Sequence, residues 1–222
     1  MPHAHARRHA HEHALTRTRE RRHRLAHEAA RLMAEGGIRD YHQAKLKAAE
    51  RLGIHDDASL PRNREIEDAL REYQRLFAGE GHAAGLRARR AAALRALEFF
   101  AAFDARLVGS VLDGTADANA PVALHLHAED PDAVPRFLAD HAIPAEARSR
   151  RLRLDPQRVL DAPVWLFSAE EFTFDLTVLP AQVLRPAPLS GVDEKPMRRA
   201  SASQLRALLA EDEISAYESG SR

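Results

Sequence analysis

The stretch RLVGSVLDGTADANAPVALHLHAED, Arg106–Asp130, decides how this chain is to be read. It opens on a short apolar run and turns at Gly109-Ser110. It then crosses a loop of small residues around Gly114-Thr115-Ala116 and closes on VALHLHA, in which residue character alternates. A period of two is the mark of a strand with unlike faces. Ala123, His125 and His127 therefore share one face of that strand. A glycine at the turn lets the backbone approach an anionic group closely.

Downstream the pattern stays mostly extended. Asp130-Pro131 predicts a short helix with Asp130 as N-cap and Pro131 in the first helical position, burying Val134, Phe137 and Leu138. SRRLRLD and PVWLFS read as strands. EFTFDLTVLP is the clearest strand, with Phe172, Phe174, Leu176 and Val178 facing one way and Thr173, Asp175 and Thr177 the other. A Pro-rich loop follows. A last helix is expected from Ser201, with Gln204 completing a capping box.

Upstream the period is helical. RLAHEAARLMAEGG places Leu25, Ala29, Leu32 and Met33 on one face and stops at Gly36-Gly37. Asp40, with Gln43 three residues on, caps a second helix that ends at Gly53. A third aligns Ile66, Leu70, Tyr73 and Phe77. AGEGHAAG reads as a break, and a fourth helix carries Leu86, Leu94, Leu97 and Phe100 beside a basic face of Arg87, Arg89, Arg90 and Arg95.

The expected class is therefore α+β: an N-terminal helical domain followed by a small mixed β-sheet with helices on one face. The expected segments are a disordered His/Arg-rich tail over 1–20, a helical domain over 21–82, an α+β domain over 83–210 and a frayed tail over 211–222. His3, His5, His9, His11, His13 and His23 make the start of the chain a low-complexity tract able to attract metal.

Composition removes several function classes. Lys+Arg and Asp+Glu stand at 33 each, so global charge predicts no nucleic-acid partner. There is no cysteine, which rules out disulfides, thiolate zinc sites and a cysteine nucleophile and fits a cytoplasmic protein. No apolar run reaches the roughly 18–20 residues needed to span a bilayer, and MPHAHARRHAHEHAL has no apolar core of a secretory signal. The phosphate-loop, nucleophile-elbow, zincin and dinucleotide-binding motifs are all missing from the sequence.

Gly109-Ser110 after a short strand, Gly114-Thr115-Ala116 in the loop, the alternating strand at 122–127 and the late strand carrying Asp175 together resemble the minimal nucleotidyltransferases of the DNA polymerase β-like superfamily. The resemblance covers roughly residues 89–180. It implies that Gly109, Ser110, Gly114 and Thr115 hold a nucleoside triphosphate, that two acids spaced one apart on the next strand bind Mg²⁺ or Mn²⁺, and that Asp175 is the third, catalytic acid. Metal ions in such a site neutralise charge on the transferred group and hold it in line for attack.

The chain departs from that pattern where the chemistry sits. The paired acids fall at Pro121 and Ala123, neither of which ligates through its side chain. His125 and His127, on the same strand face, are the auxiliary metal ligands left beside Asp175, and Asp113 and Asp117 are substitute acids in the loop. The implied protein is degenerate. If active, it transfers a nucleotidyl group from a nucleoside triphosphate to an unknown acceptor.

Two other readings stand beside it: a non-catalytic interaction protein that forms a homo-oligomer through the helical half, and a nucleic-acid-binding module using Arg17–Arg24, Lys45, Lys47, Arg51 and Arg87–Arg95. Aromatic residues are too few for a stacking platform. The runs GIRDYHQAKLKAAERLG and REIEDALREYQRLF resemble a helix pair of uncharacterised bacterial proteins, which implies a family-specific helical domain of bacterial origin and supplies no activity.

Overall fold

The computed structural model describes residues 3–38, 40–77 and 79–220, and the side chains of all of these except 3–14, 75, 77, 79–80, 215–216 and 218–220. Two compact units divide between Gly79 and Glu80, three residues before the boundary expected at 82/83.

The first unit is helical: α1 (His3–Gly36), α2 (Tyr41–Leu52) and α3 (Asn63–Phe77). α1 takes in most of the stretch expected as a disordered tail. Alanine and arginine rank high as helix formers, and a helix once nucleated propagates through them. His3, His5, His9, His11 and His13 lie outside the described side chains. Leu25, Ala29, Ala44, Ala48, Ile66 and Leu70 are buried together, as the helical spacing requires. The Asp40 side chain accepts from the Gln43 N–H at 2.7 Å, and Gly53 ends α2 at φ 63. Both helix signals are thus realised.

The second unit begins with α4 (Gly79–Phe99). The expected break at AGEGHAAG is helical from Gly79 on, with Gly79, Gly81 and Gly85 weakening the helix without ending it. The sheet follows: β1 (Arg106–Val108), β2 (Val122–Ala128), β3 (Glu146–Arg153), β4 (Val159–Ala169) and β5 (Phe172–Pro180). Between β1 and β2 lies a one-turn helix, α5 (Ser110–Asp113), and between β2 and β3 lies α6 (Ala133–Asp140). α7 (Ala202–Gly220) closes the chain.

The strand order is β1-β2-β5-β4-β3. β2 and β5 run parallel, and the other pairs are antiparallel. Beyond β1, Leu107 and Ala200 exchange backbone hydrogen bonds of 2.9 and 3.0 Å, which fastens the segment before α7 to the sheet edge.

One face of the sheet is apolar. Leu107, Leu124, Leu126, Phe174, Leu176 and Val178 pack against Leu97 and Phe100 from α4, Val134 and Leu138 from α6, and Leu205 from α7. The mixed α+β architecture with helices on this face matches the sequence expectation.

Three boundaries differ from it. α6 is capped at Asp132, and Asp130 instead accepts from the Asp132 N–H at 2.9 Å, so the aspartate before the proline makes a turn and the helix starts later. Where the sequence reads a turn at Gly109-Ser110 into a loop, Ser110–Asp113 form the single turn of α5. α7 continues to Gly220 through the segment expected to fray, because Asp212 on it is fixed by Arg90, at 2.8 and 2.6 Å from Nη1.

Candidate functional site

The opposite face of the sheet is polar and largely covered. Strand alternation and register place Arg106 and Val108 of β1, Ala123, His125 and His127 of β2, Asp175 and Thr177 of β5, and Arg148 and Arg150 of β3 on this face. Asp175 stands beside Ala123 in the parallel pair, Thr177 beside His125, and Arg106 beside His125 on the other side.

Gly109 sits over the start of β2. Its backbone, at φ 73 and ψ −157, is in a region open essentially to glycine alone. A Cβ there would lie 3.9 Å from the Cβ of Ala123, an ordinary contact, so the position needs glycine for its dihedrals and not for space. Gly109 therefore lies over Ala123, and Ala123 pairs with Asp175 on the next strand. Gly114 ends α5 at φ 81, and the Thr115 N–H reaches the Ser110 carbonyl at 2.9 Å.

The loop is held from below by Arg90, which is 5% exposed. Its guanidinium donates to the carbonyls of Val111 at 3.1 Å and Leu112 at 3.3 Å and clasps the Asp212 carboxylate. Asp113 is taken by Arg198 at 3.0 Å, and Asp117 accepts from the Asn119 N–H at 2.7 Å. The two loop acids are thus engaged in local structure.

Asp175 is buried and fully engaged. Arg150 Nη1 donates to its Oδ1 at 3.1 Å and Nη2 to its Oδ2 at 2.6 Å, while Nη1 also reaches Thr177 Oγ1 at 3.0 Å. This is the forked guanidinium–carboxylate geometry, the strongest side-chain pairing available to an aspartate. Ala162 lies opposite Arg150 on β4, and its small side chain leaves the arginine free to lie across toward β5.

The histidines are buried as well, His125 at 2% and His127 at 5% exposure. His127 Nδ1 lies 3.0 Å from the Asp104 carbonyl, and its Nε2 lies 3.4 Å from Arg199 Nη1. A carbonyl only accepts and a guanidinium only donates. These partners therefore select the tautomer with the proton on Nδ1. Burial first, and then the Arg199 and Arg106 charges, push the His127 pKa down against the Asp104 carbonyl. His125 is driven down to about 3 by burial, with His127, Arg199 and Arg150 adding repulsion. It is neutral at any physiological pH, and its Nδ1 is buried with no hydrogen-bond partner.

A pair of divalent metals does not fit this set. Mg²⁺ needs several hard oxygen ligands, yet Pro121 and Ala123 supply none and both Asp175 oxygens hold a guanidinium. Arg199 stands at the imidazole nitrogen that a metal on His127 would need. Among the described residues no group of three or more His, Asp or Glu side chains is placed to hold a metal ion.

Three of the four arginines on the basic face of α4 are likewise engaged. Arg90 is buried, Arg89 donates to the carbonyls of Ala118 and, at 3.4 Å, Ala120, and Arg95 pairs with Glu170 at 2.6 Å.

Alternation set His125 and His127 on one face of their strand and Asp175 on the polar face of another, and the strand register brings these faces together. Sequence reasoning missed Arg150, Arg106 and Arg199. The available signal was the alternation in SRRLRLD, which sets Arg148 and Arg150 on a common face; strand order was needed to say which residues they meet. No family model, no curated protein and no solved structure matches the chain.

Proposed function

We propose that the second unit is a nucleotidyltransferase-like domain that holds a nucleoside triphosphate and does not turn it over. The carrying observation is the Arg150–Asp175 fork beside Ala123. Where the resemblance calls for carboxylates free to bind metal, the chain offers one carboxylate already neutralised by a fixed guanidinium. Arginine supplies positive charge and donors to a phosphate group, but it does not generate a nucleophile as a metal-bound water does. The glycine-only dihedrals at Gly109 and the left-handed Gly114 support reading Gly109–Thr115 as the loop that holds phosphate, so that binding outlasts transfer.

Isothermal titration of the full chain with ATP, GTP, CTP and UTP, with and without Mg²⁺ or Mn²⁺, tests this. At least one nucleotide is expected to bind more tightly than millimolar, with little dependence on metal, and to be recovered intact. Metal-dependent release of pyrophosphate that disappears in Asp175→Ala would overturn the non-catalytic reading. Absence of binding to all four would overturn the nucleotide reading altogether.

A further inference from the structure

We infer that the β1–β2 end of the polar sheet face is an oxyanion site, built by Arg106, Arg185 and Arg199 with His125, and with His127 positioning Arg199, that takes a phosphate group of a small molecule. It goes beyond the nucleotide reading, because none of these residues belongs to the Gly109–Thr115 loop or to the Arg150–Asp175 pair.

Placement comes first. Leu107 pairs with Ala200, and both belong to the apolar core, so their neighbours Arg106 and Arg199 emerge on the polar face. Arg199 donates to the carbonyl of Leu184 at 2.5 Å and to that of Val183 at 3.4 Å, and so lies against the turn that leads into Arg185. His127 Nε2 touches the same guanidinium, and His125 stands beside Arg106.

Charge comes second. Every partner of Arg199 is neutral. Among the described residues no carboxylate pairs with Arg199 or Arg185, and Arg106 has only Asp104, at 3.8 Å. Burial, and then the charges of Arg106 and Arg185, push the Arg199 pKa down. A half-buried cation among like charges is unfavourable unless an anion joins it. Elsewhere in this unit Arg90, Arg95, Arg150, Arg153 and Arg206 each have a carboxylate.

The third observation is independent of charge. His125 Nδ1 is buried and unpartnered on this face, next to Arg106. Buried polar atoms are almost always satisfied, and an orphan in a polar surround marks a missing partner. A phosphate oxygen or a water bound with it completes that nitrogen. Three guanidiniums against one aspartate leave a surplus suited to a dianion. Their donors, set into a sheet face instead of spread along a helix, suit one phosphate group better than a polymer backbone.

The test is calorimetric titration of the full chain with pyrophosphate and with inorganic phosphate, in EDTA and low chloride. Saturable binding is expected. Arg106→Gln and Arg199→Gln are each expected to weaken it about tenfold, the equivalent of losing one charge-assisted hydrogen bond. Arg185→Ala, an exposed side chain with no structural bond, is expected to weaken it about threefold through lost attraction alone. Circular dichroism checks the fold of each variant; if Arg199→Gln is unfolded, the other two decide.

Arg158→Gln, at the β3–β4 turn and paired with Asp155, is expected to leave pyrophosphate affinity unchanged, which ties the losses to this end of the sheet. No saturable binding, or binding unaltered in the folded arginine variants, overturns the inference. Neither outcome touches the nucleotide titration. Conversely, pyrophosphate bound through the arginines, with no nucleotide bound, supports the oxyanion site and removes only the nucleotide reading.

Discussion

A histidine enclosed by arginines has a fixed protonation state, and His125 shows how a residue ceases to be a ligand and becomes a stability element. Burial and the surrounding cations bring its pKa to about 3, against about 6.5 in an unfolded chain. Between those values the unfolded chain binds a proton that the folded chain refuses. Folding stability due to this residue is therefore complete above pH 6.5 and falls as the pH drops toward 3, at about 1.4 kcal/mol per pH unit. His127, shifted in the same direction, adds to the same limb. Replacing His125 by leucine removes a proton site without adding a polar group. Urea unfolding at pH 4.5, 5.5, 6.5 and 7.5 is expected to show a shallower loss of stability in His125→Leu than in the parent. Parallel pH dependences in the two proteins would show that the imidazole is not buried neutral.

At the scale of elements, the geometry of the Gly109–Thr115 loop depends on a contact far away in sequence. α5 has a single turn, too short to be stable alone. Arg90 from α4 ties down its carbonyls at Val111 and Leu112 and is itself neutralised by Asp212 on α7. Loss of one partner from a buried ion pair leaves an uncompensated charge, which costs about 3–5 kcal/mol. Arg90→Ala is expected to destabilise the protein on that order, and Asp212→Ala by a similar amount, moderated by the partial exposure of the aspartate. Because each breaks the same unit, the double variant should be less destabilised than the sum of the singles. Thermal melts of the three variants measure this, and additive shifts would show that Asp212 does not act through Arg90.

The same contact explains a limit of sequence reading. VALHLHA and EFTFDLTVLP were legible as strands because alternation is local, and Gly109 and Gly114 were legible as turn residues because their dihedrals demand it. The pairing of β2 with β5, which sets Asp175 beside Ala123, is not local. Nor is the reach of Arg150 from β3, the placement of Arg199 by the Ala200 bridge, or the capture of Asp212 by Arg90. The frame of the candidate site could thus be read from periodicity, whereas its charge balance required the topology.

For the whole molecule, the two units differ in what they bury. In the helical unit the buried set is rich in alanine, namely Ala26, Ala29, Ala30, Ala44, Ala48, Ala49 and Ala69, with Leu25, Met33, Ile54, Ile66 and Leu70 as the larger members. The sheet unit buries Phe100, Phe103, Phe167, Phe172 and Phe174 beside a set of leucines and valines, with Phe167 stacked on Phe174 at 5.0 Å. A buried methyl-sized group stabilises by roughly 0.8 kcal/mol, whereas an aromatic side chain buries about 150–250 Å². Each residue ordered on folding costs a comparable entropy in either unit, so the unit with the smaller buried side chains retains the smaller margin. The helical unit is therefore expected to open first on heating. Hydrogen exchange on the full chain should show faster opening across Leu25–Leu70 than across β2 and β5, and calorimetry should resolve a low-temperature transition that vanishes in a chain reduced to residues 80–222. The shortened chain should keep the upper transition, because its core draws on no residue of the helical unit. Uniform protection across both units, or an 80–222 chain without a cooperative melt, would show instead that the sheet unit depends on the helices for its stability.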